Sequence, residues 1–278
     1  MNHRLNQWIL TSFFAACLLG GVTIGHAHDM WITAIPGLYQ AKPGNVRLVL
    51  TIGGVFPQPE FAVPPDRIAR SFFYRNNAQY LPLQWTKEEH SSFADLKFTE
   101  PGHAFVVVEQ PPRFIELTAK QFNEYVRHEG MPHIYELRKR KGIANESARE
   151  LYSRYVKALL HVGAGDETNE WFTQPLGLKI EIVPLDDPCR GGVVPIRLLL
   201  DGKPLANQII QYGRSAKTLR EVKTNEHGEA QLTIDAPGLW IVKTIHMEYH
   251  PEEVKFNDKT ANWVSHWATL TFEVPSKK

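Results

Sequence analysis

The sequence has 278 residues, of which 43% are hydrophobic, 22% charged and 11% aromatic. These proportions are ordinary for a water-soluble globular protein and exclude a disordered, collagen-like or coiled-coil chain. The 31 basic and 30 acidic residues nearly cancel, so no basic excess points to nucleic acid or to an anionic membrane surface as a partner. The length suits one large domain or two modest ones.

The first 27 residues have the pattern of a secretory leader. Arg4 is their only Lys, Arg, Asp or Glu, a hydrophobic run covers residues 8–25, and Gly25-His26-Ala27 has the small-x-small form of a signal-peptidase site. We therefore predict a signal peptide over residues 1–27, export to the periplasm and a mature chain that begins at His28. The alternatives are a membrane anchor over residues 8–25 and lipidation at Cys17.

Short runs of β-branched and aromatic residues, separated by proline and glycine, fill residues 28–117 and predict antiparallel strands. A helical insert is predicted near residues 118–160. Thr118 with Gln121 can cap one helix, and Ser147 with Glu150 forms a capping box in front of a second helix over residues 151–160. A β-rich N-terminal domain with this insert is predicted over residues 28–184.

The segment from residue 185 to residue 278 has short strand patterns joined by turn sequences at 201–204, 225–228 and 236–238. It resembles the transthyretin-like and carboxypeptidase-regulatory-like sandwiches, which usually serve as scaffolds. The predicted fold class is mainly β, with two antiparallel β-sandwich-like domains and a short helical insert in the first. Cys189 is the one cysteine of the mature chain, so no intramolecular disulfide is expected, and its turn-like surroundings predict a tolerated thiol.

The predicted cleavage site gives the sequence its clearest chemical feature. The usual phosphate-loop, nucleophile-elbow and zinc-ligand motifs are absent from the sequence. Cleavage after Ala27 places an α-amine and an imidazole on the same residue, His28. The amine and Nδ1 of such a residue can chelate one metal ion, and nitrogen donors in tetragonal geometry suit Cu²⁺ and Ni²⁺. Cleavage before His26 would place His28 third and give another copper or nickel chelate.

A second imidazole is needed to complete such a site, and spacing alone does not fix it. His246 ends an apolar strand pattern and is the best candidate, while His266 alternates in phase with apolar residues and is expected on a core face. A core-facing histidine is more often a hydrogen-bonded structural residue than a ligand. His103 is treated by default as a packing residue. Whether His103 or His250 joins the site stays open.

Several motifs together resemble a bacterial periplasmic family of unknown function whose members were once assigned to a nickel-transport complex as a subunit. They include the start at residues 26–32, the segments 149–157 and 175–184, and the C-terminal run 263–274. The resemblance implies a β-rich periplasmic protein associated with nickel or cobalt uptake. It also implies metal ligation by the pairs His28-Asp29 and His246-Met247. Related members carry a Gly-His where this chain has Gly-Gly at 53–54, so one imidazole of the pattern is missing.

These observations favour a periplasmic binding protein without catalytic activity. It is predicted to hold Ni²⁺, Co²⁺ or Cu²⁺ at His28, His246, His266 and Asp29, and to hand the ion to a membrane transporter component. The first alternative is a non-catalytic interaction module that binds a protein or a glycan. The second is a copper oxidase that uses the same amino-terminal histidine.

Overall fold

A computed structural model describes residues 28–75, 79–163 and 171–276. The predicted signal peptide lies outside these ranges. Among the described residues, no helix has the length and hydrophobicity needed to cross a membrane. The fold is mainly β, as the sequence predicted, with two short α-helices.

The strands before the helices are β1 (Asp29–Ile35), β2 (Tyr39–Gln40), β3 (Asn45–Gly53), β4 (Phe61–Ala62), β5 (Arg70–Arg75), β6 (Gln79–Pro82), β7 (Thr86–Lys87), β8 (Ser92–Lys97) and β9 (Gly102–Leu117). The helices are α1 (Ala119–His128) and α2 (Pro132–Arg140). The strands after them are β10 (Ala148–Val162), β11 (Ile180–Pro184), β12 (Gly192–Leu200), β13 (Lys203–Pro204), β14 (Ile209–Gly213), β15 (Arg220–Lys223), β16 (Glu229–Ile234), β17 (Gly238–Phe256) and β18 (Lys259–Val274).

The described residues form three sheets of nine, five and four strands. The nine-stranded sheet has the order β15-β14-β17-β18-β10-β9-β5-β6, with β2 also paired to β10. Within it β10 and β18 are parallel neighbours, and β9 and β10 are antiparallel. The five-stranded sheet runs β1-β3-β8-β7 with β4 on β3, and the four-stranded sheet runs β11-β12-β13 with β16 on β12.

The nine-stranded sheet is the middle layer of the molecule, because apolar residues cover both of its faces. Along β9, Ala104, Val106 and Val108 belong to the core shared with the five-stranded sheet. Phe105 and Val107 belong to the core shared with the four-stranded sheet. Side chains alternate along a strand, so an unbroken apolar run is what a strand buried on both faces requires.

Strands from both sides of the predicted boundary at residue 184 contribute to this middle sheet. Strands β5, β6, β9 and β10 precede the boundary, and β14, β15, β17 and β18 follow it. The two sandwiches therefore share one sheet, and the backbone hydrogen bonds between β10 and β18 cross the boundary. The middle sheet is therefore continuous across the predicted boundary at residue 184.

The helical insert is shorter than predicted. The capping box at Thr118 is present. The Thr118 side chain accepts a hydrogen bond from the backbone nitrogen of Gln121, and the Gln121 side chain accepts one from the backbone nitrogen of Thr118. The predicted helix over residues 151–160 was wrong, because this segment forms strand β10. Its alternate residues fill the cores on both sides of the middle sheet, and this burial outweighs the local preference of the Ser147–Glu150 pattern for a helix start.

Candidate functional site

A cavity of about 420 Å³ opens beside the first described residue of the chain. Its wall combines ionisable and aromatic side chains from β10, β18, α1 and the residue before β1, namely His28, Tyr125, Glu150, Tyr152, Arg154 and Trp267. Glu150, Tyr152 and Arg154 alternate along β10 and share one of its faces. Cavities of this size commonly hold small organic molecules.

Arg154 is the buried cation of this cavity, with 8% of its surface exposed. Its Nη1 donates to Oε1 of Gln110 at 2.6 Å, and its Nη2 donates to the backbone oxygen of His28 at 2.9 Å. The guanidinium lies over the rings of Tyr152 and Trp267, at 4.7 and 5.1 Å from their centroids. All of these partners are neutral, and no carboxylate of the described residues forms an ion pair with Arg154.

Glu150 is the buried acid of the same cavity, with 2% of its surface exposed. Its Oε1 accepts from the hydroxyl of Tyr125 at 3.1 Å and from Oγ of Ser265. Ser265 in turn accepts from the indole nitrogen of Trp267 at 3.0 Å. Burial raises the pKa of Glu150 to about 7, against the lowering effect of these donors and of Arg154. The carboxyl group therefore changes charge near neutral pH.

His28, the predicted amino-terminal ligand, lies at the edge of this cavity. Its Nε2 is 3.2 Å from Oε2 of Glu60, and its ring meets Phe61 edge-on at 5.4 Å between centroids. The other oxygen of Glu60 accepts from the backbone nitrogen of Gly54 at 3.0 Å. A carboxylate on Nε2 leaves Nδ1 for a metal, as the predicted chelate requires.

Asp29, the second predicted ligand, belongs to a buried ion triad. Its Oδ2 is 2.6 Å from Nζ of Lys243, which is also 2.8 Å from Oε2 of Glu129. Burial alone would lower the pKa of Lys243, but the two carboxylates outweigh burial and raise it. One oxygen of Asp29 is thus committed to an ammonium group.

His246 and His266 face each other in the register of β17 and β18. The ring nitrogens of His246 lie 3.3 Å from Oε1 of Gln208 and 3.2 Å from Oε1 of Glu248. His250 also contacts Glu248, at 3.7 Å. Burial lowers the pKa of His266 to about 4, with further lowering from Lys179 and His246, so this ring is neutral at pH 7.

The structure brings the predicted pair His246 and His266 together but does not gather all the predicted ligands. In the described part of the chain, no group of three potential donors within 4.8 Å of one another includes His28, His246 or His266. Metal ligation by these residues stays a prediction.

A different set of donors does come together. His103, His161 and Cys189 each offer one ligand atom, and these atoms lie within 4.8 Å of one another. His103 and His161 are opposite each other in the register of β9 and β10, and their rings are 4.3 Å apart between centroids. Cys189 comes from the short 3₁₀ helix Pro188–Arg190, which precedes β12. His103 and Cys189 are each 3% exposed, and His161 is partly exposed.

Asp187 supports this His103–His161–Cys189 cluster from behind. Its Oδ2 lies 3.4 Å from Nε2 of His103 and 3.4 Å from Nε of Arg190, and its Oδ1 accepts from the backbone nitrogen of Cys189 at 2.9 Å. Burial would raise the pKa of Asp187, but His103 and the backbone donor lower it below its usual value. Burial, together with Asp187, raises the pKa of the Cys189 thiol well above its usual value.

Sequence reasoning missed this cluster because its members are far apart in the chain. His103 was expected to pack, and Cys189 was expected to be a tolerated turn residue. The antiparallel register of β9 and β10, which pairs His103 with His161, could not be inferred from sequence spacing. The turn around Pro188 then brings the thiol to the two imidazoles.

Comparison with known proteins assigns the family. The sequence profile of the "Domain of unknown function (DUF4198)" matches residues 25–248. This is most of the chain, so the protein belongs to that family, and the predicted resemblance to a family of unknown function is confirmed at this level. No curated protein matches the sequence.

Two solved structures illustrate what the chain is similar to. The human OSCAR ligand-binding domain is 16% identical, with 87% of this chain and 96% of that chain covered and a TM-score of 0.19. Native alpha-2-macroglobulin from Escherichia coli, spanning domains MG0-NIE-MG1, is 10% identical, with 84% and 94% covered and a TM-score of 0.20. With TM-scores this low, neither likeness bears on function.

Proposed function

We propose that this member of the DUF4198 family is a non-catalytic transition-metal-binding protein that holds one ion at His103, His161 and Cys189. The single observation that supports this proposal is the meeting of two imidazoles and one thiol within 4.8 Å in a largely buried place. Asp187 on Nε2 of His103 matches the carboxylate that commonly orients a metal-ligating histidine. In a neutral imidazole whose proton is held on Nε2, the lone pair is on Nδ1.

Copper is the ion that this donor set favours. Two imidazoles and a thiolate form the trigonal set found at copper sites, and Cu²⁺ is the strongest binder among the divalent first-row metals. Ni²⁺ and Co²⁺, which were also predicted as cargo, bind more weakly to the same donors. Binding requires the thiol proton to leave, so copper must displace the proton that burial favours on Cys189.

The proposed role is capture and handover of the ion in the periplasm to a membrane transporter component. His161 is partly exposed, whereas His103 and Cys189 are buried. Both ring nitrogens of His161 are buried, so an ion would enter and leave past the partly exposed part of this residue, as exchange with a partner requires. The predicted transthyretin-like C-terminal part would act as scaffold, since it supplies Cys189 and the sheet behind it.

The amino-terminal chelate at His28 is a second candidate metal site, favoured by the contact of Glu60 with Nε2. The two sites differ in whether metal binding requires a free amino terminus. Binding at His28 needs a free α-amine, so an amino-terminal extension would abolish it. Binding at the His103–His161–Cys189 cluster is indifferent to such an extension.

The test is native mass spectrometry and visible spectroscopy of the protein secreted with its own leader, stripped of metal and then exposed to Cu²⁺, Ni²⁺ or Co²⁺. We expect one retained copper ion and a thiolate-to-copper charge-transfer band. Cys189→Ser should abolish the band, and His103→Ala should lower copper retention about tenfold or more. His227→Ala is the matched control, because His227 is an exposed turn residue whose side chain is 71% exposed.

Three outcomes separate the alternatives. Copper that is lost in His28→Ala and kept in Cys189→Ser would place the site at the amino terminus and overturn the proposal. Protein that retains no metal would favour the interaction module. Peroxide formation with copper and a reductant would favour the copper oxidase.

A further inference from the structure

The cavity beside His28 contains a buried cation that the protein does not neutralise. Arg154 has 8% of its surface exposed, and its hydrogen bonds go to an amide oxygen of Gln110 and to the backbone oxygen of His28. Its Nε is buried without an acceptor among the described residues. A buried charge is normally paired with an opposite charge, so a guanidinium with only neutral partners lacks the partner that its burial calls for.

The acid in the same cavity does not supply that partner. Glu150 accepts from Tyr125 and Ser265 and makes no hydrogen bond to Arg154. Its raised pKa, about 7, means that it is substantially protonated at neutral pH. Glu60, which contacts the lining residue His28, is engaged by that ring and by the backbone nitrogen of Gly54. The other charged groups that line the cavity, Arg67 and Lys87, are exposed and positive.

Most of the remaining wall consists of aliphatic and aromatic side chains. Tyr152 and Trp267 flank the guanidinium with their rings, and Phe61 and Ile115 line the cavity further out. Aromatic faces hold flat apolar groups, and guanidinium groups bind carboxylates with two parallel hydrogen bonds. The volume of about 420 Å³ falls within the range typical of small-molecule sites.

From this arrangement we propose that the cavity is a binding site for a small aromatic monocarboxylate, with the ligand carboxylate on Arg154 and its ring toward Phe61 and Ile115. This site is separate from the proposed metal site, which lies at His103, His161 and Cys189. The ligand carboxylate would supply the negative charge that the protein does not provide to Arg154. Arg154 is the buried cation of the cavity, whereas Arg67 and Lys87 are exposed, so one ligand carboxylate matches the one buried charge.

The ligand side of the test uses the wild-type chain only. Benzoate, 3-phenylpropionate and indole-3-acetate are titrated by calorimetry against metal-free protein, each beside its neutral amide. Arg–carboxylate hydrogen bonds are charge-assisted, so we expect at least one acid to bind about 10- to 100-fold more tightly than its amide. Equal binding of acids and amides, or no binding by any acid, would overturn the proposal.

The protein side uses Arg154→Gln and Arg154→Lys, with Arg140→Gln as the matched control on the exposed end of α2. Arg154→Gln should lower the affinity for the best acid about tenfold or more and leave the affinity for its amide unchanged. Arg154→Lys keeps the charge but loses the planar fork, so it should be intermediate. Full affinity for the acid in a folded Arg154→Gln variant would contradict the proposal.

Cys189→Ser makes the result independent of the metal proposal. This variant should bind the acid as wild type does, even if copper binding is lost. Copper binding without acid binding would overturn the cavity proposal alone, and acid binding without copper binding would overturn the metal proposal alone.

Discussion

Lys157 and Arg154 are two buried cations on the same strand, and their surroundings differ in one respect. Lys157 is 2.9 Å from Oε1 of Glu181, and the two side chains are 2% and 1% exposed. Glu181 also accepts from the backbone nitrogens of Leu176, Gly177 and Leu178, at 2.9 to 3.2 Å. Arg154 contacts aromatic rings and donates to neutral oxygens, and among the described residues no carboxylate accepts a hydrogen bond from it.

The comparison separates a structural charge from a binding charge. Burial would raise the pKa of Glu181, yet Lys157 and the backbone donors lower it below its usual value, so the Lys157–Glu181 pair is ionised and complete. A buried cation that is already paired with a carboxylate does not call for a ligand anion. A buried cation that lacks this partner and lies next to a cavity is a candidate binding group.

The largest effect is expected for Glu181→Ala. The variant leaves the Lys157 ammonium buried without its counter-charge, and breaking one side of a buried pair lowers the free energy of unfolding by about 3–5 kcal/mol. Urea denaturation measures the change. The double variant Lys157→Met with Glu181→Leu is the control, because it removes both charges and should recover most of the loss. A single variant as stable as wild type would show that the pair does not contribute as argued.

The next effect concerns Glu150, the acid beside Arg154. Its pKa of about 7 in the folded protein lies above the ordinary value of 4.5, so the folded state holds the proton more tightly. Stability contributed by this proton is complete below pH 4.5 and is lost as the pH rises through 7. Glu150→Gln cannot lose a proton, so its stability relative to wild type should increase by roughly 3 kcal/mol between pH 4 and pH 8.

Urea denaturation at several pH values gives this difference directly. Glu146→Gln serves as the control, since Glu146 is exposed and should show no such trend. A difference between Glu150→Gln and wild type that is constant with pH would mean that Glu150 is ionised throughout the range.

Local patterns predicted much of the fold. The short β-branched and aromatic runs before residue 117 predicted strands, and the Thr118–Gln121 pair predicted the start of α1, which the structure bears out. Strand β10 could not be recognised in this way, because a capping box is a local signal and the pairing of β10 with β9 and β18 is not. Pairing with strands that are distant in the sequence determines that residues 148–162 form a strand.

The same error hid the candidate site. In a helix over residues 151–160, the charged side chains would have formed a solvated face. In a strand, Glu150, Tyr152 and Arg154 turn to one side and meet Trp267 of β18. The His103–His161–Cys189 cluster was hidden for a related reason, since only the strand register brings the two imidazoles together.

His266 gives a smaller effect with the opposite sign to that of Glu150. Its folded pKa of about 4 lies below the ordinary 6.5, so the stability that it contributes is present above pH 6.5 and is lost as the pH falls toward 4. Because the ring is only partly buried, we expect the loss to be about 1–2 kcal/mol. His266→Gln should remove this acid-side loss in urea denaturation. An unchanged loss in the variant, with His227→Gln as the exposed control, would assign it to another group.

The smallest effect is expected for an ion pair that is exposed to solvent. Arg47 and Asp95 form two hydrogen bonds across β3 and β8, and their side chains are 50% and 68% exposed. The bond to Arg47 lowers the pKa of Asp95, but solvent screens the charge that Asp95→Asn would remove. The urea midpoint of Asp95→Asn should therefore match that of wild type within error. A large loss of stability in Asp95→Asn would mean that hydrogen-bond geometry contributes more than burial to the strength of ion pairs in this fold. The contrast between Lys157 and Arg154 would then depend on which groups contact each cation and not on its exclusion from water.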